Sequence, residues 1–82
     1  MIIDIRSFEK YNSGHLDGAI NISYNDLYLY PSKYLDKEKK YFLYCDTGIR
    51  SNSLVNMLNK MGYNCVNIDG GYYKNIFEKK NL

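Results

Sequence analysis

A cysteine at a strand-to-helix turn is the residue of this sequence best suited to chemistry. Cys45 follows the apolar segment 41–44 and precedes a segment whose apolar residues recur at helical spacing. At such a turn, backbone N–H groups converge and the helix dipole is positive, and both effects favour thiolate over thiol. Because the thiolate is the nucleophilic form, the position predicts a reactive sulfur. The alternative is an inert core residue, the commoner role of a lone buried cysteine.

The residues directly after this cysteine could bind an anion. They are Asp46, Thr47, Gly48, Ile49 and Arg50. An arginine in the first turn of a helix is unfavourable against the dipole, while its guanidinium suits recognition of a fixed anion. We therefore expect Arg50 to bind an anion rather than to be only a surface residue. Asp46 places a negative charge beside Cys45, at a cost to an anion of at most ~4 kcal/mol at contact distance. We expect this charge to disfavour a dianionic substrate.

Other residues that could do chemistry have structural explanations. His15 lies in a loop between glycines, where a neutral imidazole bonded to the backbone is the expected state. Asp4 and Arg6, at the end of a predicted strand, more often hold a turn or an ion pair. Cys65 begins a later strand, which at ~3.3 Å per residue puts it over 10 Å from Cys45. One histidine and two distant cysteines do not form a zinc site, and we expect neither a metal nor a cofactor.

The elements that must position Cys45 alternate between strand and helix. Strands are predicted at 1–5, 19–22, 41–44 and 64–68, and helices at 8–11, 26–29, 51–61 and 73–80, with one further turn at 32–35. This alternation predicts an α/β fold, a small parallel β-sheet flanked by helices on both faces. Sites in such sheets form at the carboxyl ends of the strands. Segments 4–6 and 69–71 should therefore meet the loop that follows Cys45.

Length and charge limit the classes of function. The chain has 82 residues, which predicts a single domain over 1–82. A net charge of +2 is too small to indicate nucleic acid or a membrane surface as partner. No apolar run is long enough to span a bilayer, and no signal peptide is visible. We expect a cytoplasmic monomer.

Several motifs, in order along the chain, resemble the rhodanese family. They are Asp4-Ile5-Arg6, the run from Gly14-His15 to Asn21-Ile22, the loop from Cys45 to Ser51, Gly62-Tyr63 and Gly70-Gly71. The first two resemble the family's Asp-Val-Arg and Gly-His-Ile-x-Gly-Ala-x-Asn-Ile elements. The resemblance implies a short form of the fold, and we expect the family's usual N-terminal strand and helix to be lacking. Lys10 stands where the family commonly has an acidic residue.

The resemblance also implies an activity, that of a sulfurtransferase similar to thiosulfate:cyanide sulfurtransferases. Cys45 would be the catalytic residue and would carry a sulfane sulfur as a persulfide. The loop of Asp46, Thr47, Gly48, Ile49 and Arg50 would bind the substrate. The implied donor is a small molecule such as thiosulfate or a protein that carries a persulfide, and the implied acceptor is a thiol or cyanide. Two covalent steps predict ping-pong kinetics.

Two alternatives belong to other classes of function. Cysteine phosphatases and arsenate reductases place five residues between cysteine and arginine, whereas four separate Cys45 from Arg50. A shorter loop makes a tighter cradle of N–H groups, which favours a single sulfur atom over a phosphoryl group. The second alternative is a non-catalytic interaction module or a sulfur-relay module with the same fold.

Overall fold

Four short strands form one parallel sheet in the computed structural model, which describes residues 1–80 and the side chains of residues 1–76. The strands are β1 (Ile2–Asp4), β2 (Ala19–Asn21), β3 (Lys40–Tyr44) and β4 (Asn64–Asn67). Their order in the sheet is β2-β1-β3-β4, and every neighbouring pair is parallel. The carboxyl ends of all four strands therefore lie at one edge, as the alternating pattern predicts.

Five helices connect or follow the strands. They are α1 (Phe8–Ser13), α2 (Tyr24–Leu29), α3 (Pro31–Tyr34), α4 (Ile49–Lys60) and α5 (Gly71–Lys80). The side chains of Ser7 and Ser23 accept hydrogen bonds from backbone amides in the first turns of α1 and α2 and so cap both helices. The α/β fold with a parallel sheet is confirmed. No helix among residues 1–80 is long and apolar enough to cross a membrane.

The observed ends of the elements differ from the predicted ones by a few residues. α4 begins at Ile49 rather than at residue 51, because Gly48 has a φ of 92° and starts the helix directly after it. α5 begins at Gly71, two residues before its predicted start. The apolar pattern of this last helix also predicts that Phe77 faces inward, and its side chain lies outside those that the structure describes. A single domain over 1–82 stays a prediction.

The hydrophobic core lies between one face of the sheet and the helices α2, α3 and α4. Alternate residues of the strands face it, among them Ile3, Leu43 and Cys65. α4 contributes Leu54 and Leu58, both at most 1% exposed. Burying side chains of this size stabilises the fold by about 1.5–3 kcal/mol each. Cys45 belongs to the same cluster, so the thiol sits at the end of the core and not on an open surface.

The opposite face holds a buried ion pair next to the end of β1. The Asp4 carboxylate accepts hydrogen bonds from the Arg6 guanidinium at 2.8 and 3.1 Å and from the Tyr44 hydroxyl at 2.7 Å. Burial and the bond to Asp4 raise the pKa of Tyr44, so its phenol remains a neutral donor. The Arg6 guanidinium also lies 4.0 Å from the ring centroid of Tyr72 in α5. The expected structural role of Asp4 and Arg6 agrees with these contacts.

Candidate active site

Cys45 lies directly after β3, 7% exposed, with the following loop wrapped around its sulfur. Sγ accepts hydrogen bonds from the backbone amide of Gly48 at 3.2 Å and that of Ser51 at 3.4 Å. The Ser51 hydroxyl lies 3.3 Å from the same sulfur. Donors that converge on one atom from the first turn of a helix favour a negative charge there. The site is therefore built for a thiolate.

The pKa of Cys45 follows from two opposed effects. Burial would raise the pKa of the thiol, but hydrogen bonds from the Ser51 side chain and from the amides of Ser51, Gly48 and Thr47 outweigh it. The net result is a pKa below the ordinary thiol value. Cys65 has no such donors, and burial raises its pKa.

The two cysteines are separated as expected. Cys65 pairs in register with Tyr41 of β3, four residues before Cys45. At about 3.3 Å per residue this places the two residues roughly 13 Å apart along the strand direction. Both thiols are free. Cys65 is a core residue here, in agreement with the sequence interpretation.

The start of α5 holds the loop in this conformation. The amide of Tyr72 donates to the Cys45 carbonyl at 2.8 Å, and the amide of Tyr73 donates to the Asp46 carbonyl at 3.2 Å. Because α5 binds these two carbonyls, the loop is held in place and its later amides point towards Sγ. A Cβ atom on Gly71 would lie 2.5 Å from the Cys45 carbonyl oxygen, so this contact requires glycine.

A polar network behind the sulfur was missed by the sequence interpretation. The fully buried Ser51 hydroxyl lies 2.6 Å from the Asn67 Oδ1 atom. The Asn67 side-chain amide donates to the Gly48 carbonyl and to the Asp69 carboxylate, each at 3.2 Å. A serine hydroxyl carries one proton, so Asn67 and the sulfur of Cys45 share it as alternative acceptors. One sequence signal was available: position 51 is polar although it lies on the buried face of α4.

A cavity of about 310 Å³ opens over Cys45. Its walls are formed by Ile5, Arg6, Ser7, Lys10, Cys45, Asp46, Thr47 and Arg50. Three of the expected substrate-binding residues, Asp46, Thr47 and Arg50, thus line it. Gly48 is not part of the cavity wall, but it donates its amide to the sulfur. Ile49 is 77% exposed and is not part of the cavity wall.

Asp46 and Arg50 each have a partner within the protein that bears on the charge of the site. The Asp46 carboxylate lies 2.6 Å from the Lys10 ammonium and 3.7 Å from the Arg6 guanidinium, so its charge is largely compensated. The bond to Asp46 raises the pKa of Lys10 in turn. The Arg50 guanidinium lies 4.5 Å from the ring centroid of Tyr24. The groups that lower the pKa of Cys45 are loop donors, and Arg50 is not among them.

His15 has the environment expected of a structural residue. The Nδ1 atom of His15 lies 2.9 Å from the Tyr11 carbonyl oxygen, and the two rings stack with centroids 3.9 Å apart. This histidine is held by its neighbours, as expected for a structural residue. Among the described residues, no group of three or more His, Cys, Asp or Glu side chains could hold a metal ion.

Comparison with known proteins gives a consistent result. The family model described as a rhodanese-like domain matches residues 1–75. YtwF of Bacillus subtilis is 35% identical over 72 residues, which are 85% of this chain and 67% of that protein. The thiosulfate sulfurtransferase GlpE of Shewanella oneidensis is 32% identical over 72 residues, which are 87% of this chain and 70% of that protein.

A solved structure agrees with the sequence relatives. The crystal structure of a rhodanese-related protein from Thermoplasma volcanium is similar with a TM-score of 0.84 and 32% identity. The likeness covers 94% of this chain and 76% of that chain. The parallel sheet, the loop around Cys45 and these relatives together show that the chain belongs to the rhodanese family.

Proposed function

We propose that the protein is a sulfurtransferase in which Cys45 carries a sulfane sulfur, as a persulfide, from an anionic donor to a thiophilic acceptor. The observation that carries the proposal is the convergence of the Gly48 amide, the Ser51 amide and the Ser51 hydroxyl on Sγ. The proposed catalytic residue is Cys45, and the proposed binding groups are the loop amides with Thr47 and Arg50. Membership of a family with named sulfurtransferases supports this assignment.

The first step loads the cysteine. The Cys45 thiolate attacks the sulfane sulfur of the donor, and a new S–S bond forms while that of the donor breaks. The electron pair leaves with the rest of the donor, as sulfite if the donor is thiosulfate. The lowered pKa of Cys45 increases the fraction of the thiolate, which is the nucleophile. The amides of Thr47 and Gly48 are placed to stabilise charge on the sulfur, as an oxyanion hole does for oxygen.

The second step transfers the sulfur from Cys45 to the acceptor. A thiolate or cyanide attacks the outer sulfur of the persulfide, and Cys45 leaves as a thiolate. The donors that lower the pKa of Cys45 also make it a better leaving group, so one set of hydrogen bonds serves both half-reactions. His15 is bonded to its own loop and has no part in this scheme. The loaded and free enzyme alternate, which is the condition for ping-pong kinetics.

The loop geometry favours sulfur over phosphate chemistry. In the structure the amides of Gly48 and Ser51 reach Cys45 Sγ itself, with only four residues between Cys45 and Arg50. A phosphatase loop must instead direct several N–H groups at oxygens beyond the sulfur.

Steady-state sulfur transfer tests the proposal. The protein is supplied with thiosulfate and cyanide, and thiocyanate is measured over a grid of both concentrations. We expect parallel double-reciprocal lines, no thiocyanate from Cys45→Ser, and retained turnover in the matched control Cys65→Ser. Equal rates for the wild type and Cys45→Ser would refute the role of Cys45. A persulfide that forms on Cys45 but fails to turn over would support the sulfur-relay alternative.

A further inference from the structure

We propose that Lys10 sets the charge of the Cys45 cavity by neutralising Asp46, and that this ion pair makes the cavity accept anionic reagents. Lys10 acts through Asp46 and is a positioning residue, not a catalytic one. The identity of the natural anion, a sulfane-sulfur donor, rests on the proposed function. The effect of Lys10 on the charge of the cavity does not depend on the proposed function.

The geometry of Asp46 shows why a partner is needed. Asp46 follows Cys45 directly and lines the same cavity, so its carboxylate is an anion beside a thiolate. Its Oδ1 atom is buried and accepts no hydrogen bond. Its Oδ2 atom lies 2.6 Å from the Lys10 ammonium. Without Lys10, this carboxylate would lose the close donor that compensates its charge.

The neighbouring cations cannot replace Lys10. The Arg6 guanidinium is 3.7 Å from Asp46, but it is already engaged by the buried Asp4 carboxylate at 2.8 Å. The Arg50 guanidinium lies over the ring of Tyr24. Around the cavity, Lys10, Arg6 and Arg50 are positive and Asp46 is negative, and Asp4 cancels Arg6. Apart from the Cys45 thiolate, the sum is +1 (three cations less two anions), and removal of Lys10 reduces it to zero.

The ion pair with Asp46 gives a reason for the lysine at position 10, where the family commonly has an acidic residue. An acidic residue at position 10, as the family resemblance predicts, would place a second carboxylate near Asp46 and beside the thiolate. Like charges so close disfavour each other's ionised forms. Lys10 and Asp46 lie 36 positions apart in the chain and meet only in the fold.

A pair of alkylating reagents can test the charge effect without any sulfur transfer. Iodoacetate is an anion, whereas iodoacetamide is neutral and nearly the same size, so the ratio of their rates at Cys45 reports how the cavity receives negative charge. All variants carry Cys65→Ala, so that one thiol remains. The neutral reagent corrects for changes in thiolate fraction or access.

The expected order of the iodoacetate-to-iodoacetamide ratio is specific. Lys10→Gln should lower the ratio roughly five- to tenfold, as an uncompensated charge a few ångströms from the reagent requires. Adding Asp46→Asn to Lys10→Gln should restore the ratio to within about twofold of the parent, and Asp46→Asn alone should raise it. Lys10→Arg should keep it. Lys60→Gln, the same charge change in the last turn of α4, is the matched control and should leave it unchanged.

Three results would overturn the inference. They are a Lys10→Gln ratio equal to the parent's, no restoration by Asp46→Asn, and an equal fall in Lys60→Gln. The first would mean that the ion pair does not control the cavity, the second that Lys10 has only a structural role, and the third that overall charge is responsible. If the ratios follow the expected order but the wild type forms no thiocyanate from thiosulfate and cyanide, this inference stands and the sulfurtransferase proposal is refuted.

Discussion

Cys45 Sγ lies at the centre of a set of donors that come from one short loop and from the first turn of α4. The amides are held by the backbone, whereas the Ser51 hydroxyl can turn between the sulfur and Asn67. This makes the hydroxyl the donor that can respond to the charge on the sulfur. When Cys45 ionises, the thiolate becomes the stronger acceptor, and we expect the Ser51 proton to move towards it.

Removing the Ser51 hydroxyl should raise the pKa of Cys45. In the wild type, iodoacetamide alkylation measured against pH should show a midpoint below the free-thiol value of ~8.5. The Ser51→Ala midpoint should move to higher pH, because one of the hydrogen bonds that oppose the effect of burial is lost. The reaction at neutral pH should slow accordingly, since less thiolate is present.

Ser53→Ala is the matched control, since Ser53 is exposed on the same helix. Its alkylation midpoint should coincide with that of the wild type. Identical midpoints for Ser51→Ala and the wild type would show that the backbone amides alone set the pKa.

At the scale of elements, α5 determines whether the loop after Cys45 can direct its amides at Sγ. The amides of Tyr72 and Tyr73 bind the carbonyls of Cys45 and Asp46, and the close approach depends on the absence of a side chain at Gly71. As expected from the sequence, segment 69–71 meets the loop that follows Cys45. Neither Gly70 nor Gly71 lines the cavity over Cys45, so the two glycines contact the back of that loop and do not form a wall of the cavity.

Gly71→Ala should therefore damage stability and reactivity together. The new Cβ would meet the Cys45 carbonyl, and alanine would be strained at a φ of 62°. We expect a loss of unfolding free energy of about 1–3 kcal/mol in urea denaturation. We also expect a rise in the alkylation midpoint of Cys45, because the loop amides shift away from Sγ.

Gly62→Ala separates backbone strain from the effect on the site. Gly62 has a φ of 99°, and the nearest atoms that a Cβ there would meet belong to the Lys37 side chain and not to the Cys45 loop. This variant should lose stability while keeping the wild-type alkylation midpoint. If Gly71→Ala keeps the same midpoint, α5 does not hold the loop amides in place.

Local patterns predicted the elements well, and long-range contacts explain what they missed. The capping serines, the β-branched first strand and the spacing on α4 are local signals, and each marks an observed element. The contact of Ser51 with Asn67 joins positions 16 apart, and that of Lys10 with Asp46 joins positions 36 apart. Such pairs depend on which distant segments the fold brings together. The spacing of residues along the chain does not show which segments these are.

At the scale of the whole molecule, the strand order explains the location of the site. β1 and β3 are the central strands, and their carboxyl ends supply Arg6 and Cys45 to one cavity. β4, on the other side of β3, supplies Asn67 to the network behind the sulfur. The buried Asp4–Arg6 pair ties the end of β1 to Tyr44, the residue before Cys45. A parallel sheet thus gathers groups from distant segments around one thiol.

Uptake of a sulfane sulfur by Cys45 can be observed by intact-mass measurement. The protein is incubated with thiosulfate or with a cysteine-persulfide donor, desalted and weighed, alongside Cys45→Ser and Cys65→Ser. We expect the added mass of one sulfur atom on the wild type and on Cys65→Ser, none on Cys45→Ser, and its removal by cyanide. A wild type that gains no sulfur from either donor, or a Cys45→Ser protein that gains it equally, would show that Cys45 is not the sulfur carrier.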